Sequence, residues 1–308
     1  RSPINAFMIE LPQSPYSLYK QSLDLLHSGH LLPGFRLYEN RYHPDVKQAI
    51  SATHDKHLSS PTWKGERLLG KTIVVQMEQG YGDIIQMARF LPMLKAWGAK
   101  EVYIFQHFSL HYLMGQMECI DHISNDFSDP IINKADYWIG SMSLPYFAMH
   151  SPAHVKQLFP VTLNKIVGSE GYLDAKPSDI ERKIGVNWMA SKGQLHYAKS
   201  IPVQEMRRLL GSDAYSLNYE GDDIFTPLPE GWKNDWYQTA QHMKAMRGVI
   251  CPDTGTAHLA GALGVKCIML LPDDPYVCWR WKHGRWYDSV VAIKPNEWDK
   301  IPELLRRM

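Results

Sequence analysis

Apolar side chains return at helical spacing over residues 14–57: Leu18, Leu23, Leu25 and Leu26 repeat along one stretch, Gly29 interrupts, and Phe35, Leu37 and Tyr38 open a second. The pattern predicts a repeat-like helical hairpin over residues 1–58. A polar connector with Pro61 and Gly65 follows, and there the period changes. Ile73, Val74 and Val75 form a β-branched run, which predicts a strand over 73–77. The pattern continues with a helix over 83–97, a strand over 102–106, a helix over 110–117 and a strand over 136–139. Several Pro and Gly residues over 152–177 mark a crossing into a second series. That series comprises strands over 183–188, 214–218, 249–251 and 265–271, with helices over 202–210, 236–246 and 256–263 and a terminal helix over 297–308. Alternation of this kind implies parallel sheets covered by helices, so the expected class is α/β with two Rossmann-like domains, at 59–165 and 166–308.

Each series contains a glycine-bearing turn between an apolar strand and a helix. The first turn reads Glu78, Gln79, Gly80, Tyr81, Gly82, Asp83, and the second reads Pro252, Asp253, Thr254, Gly255, Thr256, Ala257, His258. Such turns aim backbone N–H groups and a helix N-terminus at a ligand, which suits a phosphate or a developing anion. Two more familiar phosphate motifs fail. Gly65 to Thr72 satisfies the Walker A spacing but precedes the strand, whereas a phosphate loop follows one. The dinucleotide fingerprint needs a third glycine where Ile85 stands.

Composition narrows the class. A chain of 308 residues with 44% hydrophobic and 21% charged side chains suits a soluble two-domain enzyme with a small appendage. The 33 basic and 32 acidic residues give +1, so no global field indicates nucleic acid, although this sum does not reveal a local patch. Cys119, Cys251, Cys267 and Cys278 are far apart with no C-x-x-C, which argues against a zinc knuckle or a disulfide framework and fits a reducing compartment. No apolar run reaches the ~18 residues of a membrane span, and residues 1–10 lack a signal-peptide core. A cytoplasmic location is expected. No Asp-x-Asp occurs; the nearest approaches, Asp222 with Asp223 and Asp273 with Asp274, are adjacent residues whose side chains would diverge on a strand, so no metal site is expected.

Individual residues admit plain and functional roles. Asp83 sits where a helix cap would contribute about 1 kcal/mol, and also at the carboxyl edge of a parallel sheet, where open α/β sheets bind ligands. Position alone leaves both open. Asp253 and Thr254 pose the same choice, but with Gly255, Thr256 and His258 they concentrate polar groups and flexible backbone at one helix start, which favours a diphosphate site. Lys192 and Lys199 lie in a polar loop, either solvated or against phosphate. Glu220, just past a strand, has the position of a ribose-holding carboxylate and equally that of an exposed glutamate. Trp279, Trp281 and Trp286, interleaved with Arg280, Lys282 and Arg285, fit a stacking surface for nucleic acid or, more commonly, a packed edge between domains.

Together these segments resemble glycosyltransferases of the heptosyltransferase type (glycosyltransferase family nine), and more closely the glycosyltransferase domain that follows tetratricopeptide repeats in many bacterial proteins. The resemblance rests on Gly34-Phe35-Arg36-Leu37-Tyr38-Glu39-Asn40-Arg41, on Glu78 to Gln86, on Arg89-Phe90-Leu91-Pro92, on Gly185-Val186-Asn187-Trp188, on Lys199-Ser200-Ile201-Pro202, on Asp253 to Gly264 and on Trp279-Arg280-Trp281. It implies a GT-B fold with the acceptor mainly on the first domain, a nucleotide sugar mainly on the second, and a terminal helix that often crosses back. By position it implies that Asp83 is the general base. Asn187, Lys199, Glu220, Asp253, Thr254, Gly255, Thr256 and His258 would lie on the donor side, and Gln79, Gly80, Tyr81 and Gly82 on the acceptor side of the cleft. The implied activity is inverting, metal-independent sugar transfer from a nucleotide-diphospho-sugar co-substrate, without a further cofactor, to a hydroxyl of a glycan, a protein or a modified nucleobase. A catalytically silent module and a sugar-nucleotide epimerase are alternatives on the same plan. The chain departs from the pattern in its single helix pair and in its loop over 189–198.

Overall fold

A computed structural model describes residues 13–50, 59–150, 171–190, 196–220, 223–273, 277–282 and 286–308. Most of the crossing over 152–177, the expected boundary at 165/166, Lys192, Asp222, Asp274 and Arg285 lie outside the described residues. Contacts divide the chain into two compact units, Arg1–Lys56 and His57–Met308.

In the first unit, Ser14 caps the helix Pro15–His27 by accepting from the Ser17 N–H (3.1 Å), with proline in the first turn. A helix Leu31–Tyr38 and a 3-10 turn Glu39–Tyr42 follow. Among the described residues a further helix, Pro44–Ile50, follows the expected pair, with Pro44 at its start. Buried Arg41 pairs with Glu39 (2.7 Å) and lies over the Tyr42 ring (4.0 Å), so its charge is compensated.

The second unit holds two parallel sheets. The first contains β1 (Thr72–Gln76), β2 (Glu101–Phe105), β3 (His122–Ser124) and β4 (Tyr137–Gly140), in the order β3-β2-β1-β4. The second contains β5 (Ile184–Val186), β6 (Ala214–Ser216), β7 (Thr226–Pro227), β8 (Gly248–Pro252), β9 (Cys267–Leu270) and β10 (Val290–Ile293), in the order β10-β9-β8-β5-β6-β7. Every residue of β1, β5 and β8 is buried, as central parallel strands covered on both faces require. Strand order reverses between β1 and β4 and again between β5 and β8, and each reversal opens a crevice at the carboxyl end of the sheet.

Several expected elements are shorter or broken. The helix over 83–97 is interrupted: Tyr81–Met87 gives way to a 3-10 turn Ala88–Phe90 and then to Leu91–Ala96, where Pro92 supplies no N–H to continue the ladder. The terminal helix is confined to Ile301–Arg306. It does not cross back: Ile301 is buried with Ile184, Ile250 and Ile268 of the second sheet. Strands β3, β7 and β10 and the helices Leu144–Met149 and Trp279–Lys282 are additions to the sequence pattern.

Candidate functional site

The crevices of both sheets open into one cleft of about 790 Å³. Gly80 to Asp83 follow β1 and, with His107, Phe108 and Ser109 beyond β2, form one wall. Asn187 after β5, Asn218 after β6 and Asp253 to Thr256 after β8 contribute to the other.

The walls meet closely. A Cβ on Gly82 would come within 2.9 Å of the His258 ring and 3.3 Å of the Gly255 Cα, and one on Gly255 would come within 2.9 Å of Trp236. Glycine is therefore required at both turns for close approach. The N-caps are Gly80 and Thr254, and neither gives a side-chain capping bond. Asp83 is thus not the cap of its helix. Its Oδ1 accepts from Gln86 Nε2 (3.0 Å) and from Arg280 Nη2 (2.9 Å), the latter a salt bridge from the other wall.

Across the cleft, Asn187 Nδ2 donates to Thr256 Oγ1 (3.1 Å) and Thr254 Oγ1 (3.3 Å), while its Oδ1 accepts from the Met189 N–H (3.0 Å). This fixes the amide and both hydroxyls at the start of the helix Gly255–Leu263. The first intrahelical bond runs from the Ala257 N–H to the Thr254 carbonyl (3.0 Å), so the Gly255 and Thr256 N–H groups precede the ladder. Lys199 Nζ donates to buried Asp253 Oδ2 (2.7 Å). Burial opposes ionisation of Asp253, but Lys199, with His258 and Trp281, more than offsets it, and the carboxyl lies below its ordinary value.

Buried His258 stacks on Trp281 (5.4 Å between centroids), and its Nδ1 lies 3.1 Å from the Tyr287 hydroxyl. Burial, reinforced by Arg280, Arg89 and Lys199 and opposed by Asp253, lowers His258 to about 3, so the ring is neutral. An unfolded chain takes up this proton near the ordinary 6.5 whereas the folded chain does not until about 3; stability is therefore complete above that range and falls as pH drops through it. Melting temperatures across pH 4–8 should show this slope in the wild type and a shallower one in His258→Gln; identical slopes would remove His258 as its source.

Glu220 is exposed at the rim, and Gln79, also exposed, does not line the cleft. Among the described residues Gln79 alone of the non-glycines has positive φ (67°), which sets the backbone of the turn. The sequence patterns pass over Asn218, whose Oδ1 accepts from Trp188 N–H (3.3 Å) and Met189 N–H (3.2 Å) while its buried Nδ2 has no partner. They also give no sign that Arg280 pairs with Asp83. Topology could have found Asn218, since it follows β6 at the same sheet edge as Asn187. Trp279, Trp281 and Trp286 are buried, and Arg89 reaches from the side of the first sheet to lie over Tyr172, Trp286 and Tyr287 (5.3, 4.8 and 4.5 Å). The tryptophan-rich segment is a packed edge between the sheets. Among the described residues no helix is long and apolar enough to cross a membrane, and no group of three or more His, Cys, Asp or Glu is placed to hold a metal ion.

The fold is that of the GT-B heptosyltransferases. The E. coli heptosyltransferase WaaC, solved with ADP, superposes with a TM-score of 0.53 at 12% identity, over 77% of this chain and 99% of that one. An E. coli ADP-heptose lps heptosyltransferase II gives a TM-score of 0.48 at 13% identity over 77% and 98%. A glycosyl transferase family 9 protein from Veillonella parvula gives 0.49 at 14% identity over 79% and 91%. No family model and no curated protein matches the chain.

Proposed function

We propose that the protein is an inverting glycosyltransferase that moves a sugar from a nucleotide-diphospho-sugar to a hydroxyl acceptor without a metal ion. The observation that carries this reading is the shared cleft. It places Asp83 at the switch point of one sheet opposite a helix start, an asparagine and a lysine at the switch point of the other. The second wall suits a diphosphate: N–H groups, the Thr254 and Thr256 hydroxyls and Lys199 supply donors and positive charge to an anion leaving from the sugar. The ADP of the WaaC structure supports the nucleotide assignment. Asp83 suits the opposite task. As the acceptor oxygen bonds to the anomeric carbon, the bond from that carbon to the diphosphate oxygen breaks; the diphosphate keeps the electron pair and Asp83 takes the hydroxyl proton. Attack from the face opposite the leaving group inverts the centre.

The test is a thermal-shift screen of ADP, GDP, UDP and dTDP and their sugars, followed by turnover assays over neutral glycans, peptides and hydroxymethylated nucleobases. A ligand bound by the folded state alone raises its melting temperature. Transfer with the donor so identified should persist in excess EDTA, because Lys199 and the helix N–H groups carry the counter-charge. Transfer abolished by EDTA and restored by Mg²⁺ or Mn²⁺ would overturn the metal-independent mechanism, and no response to any nucleotide would overturn the donor site.

A further inference from the structure

Arg280 occupies an unusual position in the cleft. It lies on the short helix Trp279–Lys282, yet its guanidinium reaches the first wall and donates to Asp83 Oδ1. Its Nη1 donates to Cys278 Sγ (2.9 Å), and the Trp279 ring lies 4.7 Å from its central carbon, so the plane of the fork is held from two sides. Its Nε is buried with no partner among the described residues. The side chain is 10% exposed, lines the same cleft as Asp253 to Thr256, and acts electrostatically on both Asp253 and His258. While the pair persists, Asp83 Oδ1 is taken up by the guanidinium and by the Gln86 amide and is closed to an acceptor hydroxyl. If Asp83 is the base, the pairing opposes its task.

We propose that Arg280 is a positioning residue shared between Asp83 and the donor diphosphate: nucleotide binding draws the guanidinium away from the carboxylate and so makes the base available only when a donor is present. This rests on the reading of the cleft as a nucleotide-diphospho-sugar site. A diphosphate offers several anionic oxygens to a fork that is matched to bidentate contacts and has one donor unused, and it competes with a single carboxylate oxygen. The device makes donor binding precede productive acceptor binding.

The decisive measurement is calorimetric binding of ADP, GDP, UDP and dTDP, with the matching nucleosides as controls, to four proteins: wild type, Arg280→Gln, Asp83→Asn and the double variant. Arg280→Gln should weaken diphosphate binding about tenfold or more and leave nucleoside binding within about twofold, and Arg280→Lys should recover part of the loss. Asp83→Asn removes the competing negative charge, so it should tighten diphosphate binding by about threefold to tenfold. In the double variant that gain should vanish, leaving the affinity of Arg280→Gln. A staple that merely joins the walls predicts unchanged or weaker binding in Asp83→Asn. That result, or a gain that survives in the double variant, overturns the proposal while leaving the donor site intact. Wild-type protein that binds none of the four diphosphates overturns the underlying function instead. If Arg280→Gln fails to fold, the Asp83→Asn comparison decides alone.

Discussion

Asp83→Asn should lower sugar transfer by about 100-fold or more, the usual scale for loss of a general base, while nucleoside diphosphate still binds. The substitution is nearly isosteric, and the asparagine oxygen can still accept from Gln86 and Arg280, so the local geometry is retained. What it removes is the capacity to take a proton as the acceptor oxygen attacks. A purely architectural Asp83 would behave otherwise. The helix that begins at Tyr81 is capped from Gly80 without any side-chain bond, so no capping contribution is lost with the carboxylate. The rate is read as turnover with the donor and acceptor found by screening, alongside calorimetry on the same preparation. Turnover near the wild-type value would assign Asp83 to the salt bridge with Arg280 and move the search for a base to His107, which lines the same wall.

The two-sheet plan was legible because β-branched runs such as Ile73 to Val75 and Val249 to Cys251 become fully buried central strands, where local preference and burial agree. The edge strands β3, β7 and β10 were not. β3 and β7 are only three and two residues long, and β10, at the sheet margin, is buried only at its two ends. The donor wall was legible for a related reason: Asp253 to His258 crowd polar groups into one strand-to-helix turn, and the backbone of that turn organises them locally. The Asp83–Arg280 pair joins residues 197 positions apart, so no spacing rule signals it. Trp279, Trp281 and Trp286 carried a pattern with two physical outcomes, and burial decided it, because their rings pack on one another, on His258 and on Arg89. Gln79 stands apart: its positive φ shapes the turn, and no pattern of side chains signals that conformation.

Lys199→Ala should weaken nucleoside diphosphate binding by about tenfold or more and nucleoside binding by about twofold or less, since only the diphosphate presents charge to the ammonium. Comparing the two ligands on one protein is essential, because the substitution also leaves Asp253 without its partner at 6% side-chain exposure. Removing one member of a buried pair is costly whatever the ligand. That cost has its own pH signature. In the wild type the depressed Asp253 carboxyl contributes stability that is present above its unfolded value and lost as pH falls through the folded one. Without Lys199 the largest influence that lowers the carboxyl is lost and burial weighs more against its charge, so the variant should regain melting temperature relative to wild type as the solution is acidified toward pH 4. Lys199→Ala combined with Asp253→Asn removes the stranded charge and should restore much of the stability without restoring diphosphate affinity. Equal losses for nucleoside and diphosphate, or recovery of diphosphate affinity in the double variant, would show that Lys199 acts only through Asp253 and that the counter-charge for the leaving group comes from the helix start at Thr254 and Gly255.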